Sequence, residues 1–375
     1  MAVVPRRRFV AGVGAIAVAP VACGGDLDGG PAGVVERWLS AQGDDEQTYG
    51  LVVASADEAT IITSGFRGHG VAPNPADPNR AVMFSRRPGQ YGIVVDLSRG
   101  EVLHRFDTSA QRRFAGHGCF TPDAALLLTA EADAQTAEGT IGVRDAETGQ
   151  LLREIPTHGV GPHELAMMPD GQTVVVANGG ILTRPETGAD KLNLDTMDST
   201  LAYVDVETGS LVAQARVPEP KASLRHLGIA EDGTVAVAMQ IQREALEDGE
   251  PRSLIAVHKP GEALEVLLDG IELGLAMKDY AGAIAVDDRS RLAAVTSPRG
   301  SLVAFWHLDS GRLKGQVAFD DVSGVAVSKQ QPHFVLSGSG GQVRSVDTDT
   351  LQDVRDARAR FSNVLWDNHM IAVLS

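Results

Sequence analysis

Five histidines fall at matching places in a sequence that repeats itself. His69 lies in Gly68-His69-Gly70-Val71 and His117 in Gly116-His117-Gly118-Cys119. His163 lies in Gly161-Pro162-His163-Glu164-Leu165, His226 follows Arg225, and His369 follows Asp367-Asn368. Neutral imidazole is a common ligand for zinc, copper and iron, and adjacent glycines let neighbouring backbones approach closely. Brought to one point, the five would hold a transition metal, with iron or copper as the candidates. Glu164 and Asp367 could add oxygen ligands or orient the imidazoles from behind. Arg225 and Asn368 extend the same set toward a polar small ligand. Two other readings stay open at this stage: a polar ligand site without metal, and a wet channel whose imidazoles bond only water.

For these residues to meet, the chain must return to one axis once per repeat. A turn of the form Asp-x-x-x-Gly recurs at Asp96 to Gly100, Asp145 to Gly149 and Asp205 to Gly209, with variants at His307 to Gly311 and Asp347 to Leu351. Glycine supplies the positive φ of a tight hairpin, and aspartate bonds the turn's own backbone. A second element is an apolar strand, a polar turn and another apolar strand, as in Leu165 to Gly171 before Thr173 to Ala177. Counting weaker copies, each element occurs seven times, in units of about 40–60 residues, which predicts an all-β, seven-bladed β-propeller of the WD40/YVTN-like kind. The chain opens inside a unit, at Tyr49 to Thr63, and Phe361 to Leu374 resembles the part that is missing. N- and C-terminal strands are therefore expected to share one blade and close the ring. The first strand of each blade lines the channel, so the five histidines should converge on one face. The matching positions in the two remaining units are Gly282 and Ser323.

One unit carries a long insertion between Asn178 and Thr200. Loops of this length are often lids or binding loops, so Asn178, Asn193 and Asp195 join the ligand-binding candidates. The doublets Arg86-Arg87 and Arg112-Arg113 could pair with an anion, although isolated basic doublets are ordinarily solvated.

Residues 1–25 read as an export signal. Arg6-Arg7-Arg8-Phe9-Val10 resembles the twin-arginine motif, and Ala11 to Ala19 form a short, weakly apolar stretch. Residues 26–48 are expected to be a linker and 49–375 a single propeller domain in the periplasm. Cys23, in Val21-Ala22-Cys23-Gly24, is compatible with a lipid anchor. Cys119, the only other cysteine, is left without an internal disulfide partner. The net charge of −16 argues against nucleic-acid binding. Beyond the N-terminus the sequence has no apolar run long enough for a transmembrane helix.

At its motifs the chain resembles the domain of unknown function 1513 family. The resemblance rests on the glycine–histidine stretches quoted above, on Ala177-Asn178-Gly179-Gly180-Ile181, Lys191 to Met197, Val295 to Gly300 and Trp366-Asp367-Asn368-His369. It implies a twin-arginine signal and a role in periplasmic iron-uptake loci, beside imelysin-like and di-haem peroxidase-like proteins. It implies no catalytic residue. The expected function is a periplasmic binding or accessory protein linked to iron acquisition. The alternative is a metal-dependent oxidoreductase or a lactonase-like propeller enzyme. No Gly-x-Ser-x-Gly and no Cys-x-x-Cys-His occurs, which favours the first.

Overall fold

The computed structural model describes residues 34–43, 48–219 and 221–375. The expected signal and Cys23 lie outside the described residues. The described residues form seven four-stranded antiparallel sheets, each the blade of a propeller. Six blades follow the chain, with inner strands Gly68–Pro73, Arg112–Phe120, Pro162–Met167, Ala222–Ile229, Ala283–Asp287 and Val322–Val327. Each inner strand contacts the inner strand of the next blade.

The seventh blade joins the two ends of the fold. Its inner strand, Ile371–Leu374, pairs with Glu36–Gln42, which is followed outward by Gly50–Ala54 and Ala59–Thr63. The closure expected from the repeats is present, but the domain starts earlier than residue 49. Glu36–Gln42 had been assigned to the linker and is instead a full strand, with Trp38, Leu39 and Ala41 buried. It is buried on both faces, with Ser40 and Gln42 as enclosed as Leu39 and Ala41.

The recurrent aspartates do what their spacing predicted. Asp96 Oδ1 accepts from the Ser98 and Arg99 amides, both at 2.9 Å. Asp145 and Asp205 accept from the amides of Thr148 (2.8 Å) and Thr208 (2.7 Å). Each turn joins the third and fourth strands of a blade. Apolar side chains from neighbouring blades fill the seams: Val174 and Val176 pack in one cluster with Leu128 and Ile141 of the preceding blade. Among the described residues no helix is long and apolar enough to cross a membrane.

Candidate metal centre

All five histidines meet. His69, His117, His163 and His226 stand on the inner strands of four successive blades, and His369 lies just before the inner strand of the seventh. A break in strand register sits at or beside each of the first four: between Gly68 and Val71, Phe114 and Gly118, Pro162 and Glu164, and Leu224 and His226. Bulges of this kind bend a strand and re-aim a side chain, here toward the channel. Neighbouring ring centroids lie 4.4–5.3 Å apart along the series His69–His117–His163–His226–His369. His226 and His369 are 4.4 Å apart although two blades with no histidine on the inner strand separate theirs in the ring. The imidazoles therefore fill the axis rather than line its wall.

The glycine–histidine spacing has a steric reason. A Cβ on Gly116, where φ is +105°, would lie 2.6 Å from Cδ2 of His69. A Cβ on Gly70 would lie 2.8 Å from Nδ1 of His117 and 2.6 Å from the Gly116 carbonyl oxygen. Each glycine leaves the space that the other motif's imidazole occupies.

Two sets of three ligand nitrogens can be drawn, His69–His117–His369 and His117–His163–His226, each with its nitrogens within 4.8 Å of one another. His117 belongs to both, and its Nε2 is buried without a hydrogen-bond partner. Nε2 of His69 and Nε2 of His369 are 3.2 Å apart. Two imidazole nitrogens sharing one ion at about 2.0–2.1 Å would stand about 3.0–3.4 Å apart. Carboxylates stand behind the rings. Glu164 Oε2 is 2.9 Å from Nδ1 of His226 and accepts from the Leu227 amide at 3.3 Å, while its Oε1 is 3.9 Å from Nδ1 of His117. Asp367 Oδ1 is 3.6 Å from Nδ1 of His69 and accepts from the Asn368 amide at 2.7 Å. A carboxylate on one ring nitrogen fixes the tautomer that leaves the other free to ligate.

Burial keeps four of the rings neutral. It lowers His117 to about 3, against the opposing pull of Glu164. It takes His163, His226 and His369 well below the ordinary histidine value, helped by neighbouring imidazoles. Burial pushes the Glu164 carboxyl up. It pushes Asp367 up too, but the contacts with His69 and Arg86 outweigh it and hold that carboxyl low. His117, His163, His226 and His369 thus offer unprotonated nitrogens backed by two acidic groups, a donor set suited to a borderline transition metal.

Residues 62–373 match the family described as Protein of unknown function (DUF1513). The chain belongs to this family. No curated protein matches it. Among solved structures it is similar to Kuenenia stuttgartiensis hydrazine synthase, at 16% identity and a TM-score of 0.56, over 83% of this chain and 89% of that one. At that identity the likeness is one of fold.

In this DUF1513 propeller the remaining candidates divide. His163 and Glu164, adjacent in sequence, are both at the centre, one as a ring and one as the carboxylate between His117 and His226. Arg225 is buried, with Nη1 3.4 Å from Nδ1 of His163; burial, then Arg87, lowers its pKa to about 9. Asn368 faces a cavity of about 380 Å³ on one side of the cluster. A second cavity, about 460 Å³, lies on the other side, walled largely by apolar inner-strand residues such as Leu165 and Val325. His226 faces both. The insertion does reach the first cavity, through Ile181, Thr183 and Arg184. The three residues chosen from it do not. Asn178 is a buried staple, donating to the Thr157 carbonyl (3.0 Å) and Thr200 Oγ1 (3.2 Å). Asn193 accepts from the Leu182 amide and donates to the Gly180 carbonyl, tying the loop to its base. Asp195 is exposed. The doublets, read as ordinarily solvated, contribute Arg86, Arg87 and Arg113 to a basic wall of the first cavity, together with Arg184 and Arg225.

Proposed function

We propose that the histidine cluster is a transition-metal centre for iron or copper, in an exported propeller that acts as a binding or accessory protein in iron acquisition. The observation that carries the metal reading is the pair of histidine triads sharing His117, whose buried Nε2 has no partner. His69, His117, His163, His226 and His369 would supply the nitrogens. Glu164 would hold His226 in orientation, and Asp367, 3.6 Å from Nδ1 of His69, would supply a nearby negative charge. A bound ion would supply Lewis acidity and one-electron chemistry. The export reading is supported by Arg6-Arg7-Arg8 with its weakly apolar follower, and the link to imelysin-like and di-haem peroxidase-like partners by the family resemblance.

Equilibrium dialysis of metal-free protein against Fe(II), Cu(II) and Zn(II) tests the centre. Saturable binding, lost in a His117→Ala, His163→Ala double variant, is expected. Absence of saturable binding for every ion would reduce the cluster to a channel lining. Export is tested separately: Arg6→Lys with Arg7→Lys should leave precursor in the cytoplasm, and normal export of that variant would end the twin-arginine reading.

A further inference from the structure

The chain is acidic, with 49 aspartates and glutamates against 33 lysines and arginines. The first cavity reverses that balance. Its wall carries Arg86, Arg87, Arg113, Arg184 and Arg225, and one carboxylate, Asp133. That carboxylate is engaged elsewhere: its Oδ1 accepts from the Gln135 and Thr136 amides at 2.9 Å, and its Oδ2 is 4.0 Å from Arg112. Of the five arginines, Arg86 reaches Asp367 at 3.4 Å. The other four have no carboxylate partner among the described residues. Arg113 donates to the carbonyls of Ala110 (3.0 Å) and Arg112 (2.6 Å), and Arg184 to that of Gln135 (3.0 Å). Arg87 has neither a hydrogen bond nor an ion pair there. Arg225 is 6% exposed, and its Nε is buried without a partner.

Arg225 is a buried cation without a counter-charge, Arg87 and Arg113 are half-buried beside it and Arg184 is exposed at the rim. A buried unpaired cation is costly, so such a site is organised around a missing anion. We propose that this cavity binds a small organic anion bearing two or more carboxylates. The guanidinium fork matches a carboxylate in two parallel hydrogen bonds, and a cavity of about 380 Å³ is within the range of small-molecule sites. The arginines come from four different blades, so the charges they match are spaced. Phe114, Ala132, Ala137 and Ile181 line the same cavity, giving a carbon skeleton a surface to cover. A compact inorganic ion would use neither feature. The arginine set does not depend on the metal reading.

Calorimetric titration of metal-free protein with citrate and with inorganic phosphate, at low ionic strength, tests this. Citrate should bind saturably and more tightly than phosphate. An Arg87→Gln, Arg113→Gln variant should lose about tenfold or more in citrate affinity, because it removes two charge-assisted contacts. The same variant should keep its Zn(II) affinity, and His117→Ala should keep its citrate affinity, which separates failure of the anion site from failure of the metal centre. In the unmutated protein, citrate should protect Arg87 from a dicarbonyl reagent, read by mass spectrometry. No saturable citrate binding, phosphate binding as tightly as citrate, or no protection of Arg87 would overturn the proposal.

Discussion

Acidifying the metal-free protein probes the burial of the cluster. His117 is lowered to about 3 and His163, His226 and His369 lie well below the ordinary 6.5. A base with a depressed folded pKa stays neutral in the fold and takes a proton on unfolding. The unfolded state then binds more protons, so stability falls as pH drops below about 6.5. For His117 the loss continues to about 3, where the folded form protonates as well. Each such imidazole removes about 2 kcal/mol between about pH 7.5 and pH 5. Four together set a ceiling of about 8 kcal/mol, a large share of the roughly 5–15 kcal/mol that holds a domain folded. The carboxylates act lower. Glu164, raised by burial above 4.5, regains stability on acidification, so it opposes the histidines toward the acid end of the window. Asp367, held below 3.8, loses stability only as pH falls through that value. Guanidinium denaturation at a series of pH values, with a chelator present, measures the effect. The fluorescence of buried Trp38, Trp306 and Trp366 supplies the signal. His117→Gln should make the dependence shallower. Equal stability at the two ends of that range would refute the argument that the rings are held neutral by burial.

Two further outcomes follow from the geometry. Gly70→Ala places a methyl 2.8 Å from Nδ1 of His117 and should cost about 1–3 kcal/mol while weakening metal binding, read by denaturation and dialysis. Glu164→Gln removes the carboxylate behind His226 and should lower metal affinity about 10–100-fold with little loss of fold stability, so unchanged affinity would remove its orienting role.

The parts of this fold legible in sequence are those fixed by local chemistry. Asp145 and Asp205 announce hairpins because one carboxylate satisfies amides two or three residues away. The inner-strand histidines were legible because the propeller converts equal position in a repeat into proximity. Glu36–Gln42 was missed because its short alternation, Leu39 to Gln42, follows two charged residues and its inner partner, Ile371–Leu374, lies more than 300 residues away in sequence. Asn178 and Asn193 were chosen for lying in a long loop, yet amide side chains in loops more often bond backbone than ligand, and these do. The arginine wall was legible only in part: the doublets offer Arg86, Arg87 and Arg113, but Arg184 and Arg225 join them only in three dimensions. The reason for Gly70 and Gly116 is likewise tertiary, since each clears room for a ring carried by another blade.

The seventh blade also imposes an order in time. Its innermost strand is Ile371–Leu374, so during synthesis the ring of blades stays open until that strand has emerged, after the inner strands of the other six. His369 travels with that strand. The ring that seals the fold and the imidazole that completes the cluster arrive in a single event. A chain cut short upstream of residue 369 would lack both, so an ion held by the His69–His117–His369 set would mark a ring that had closed.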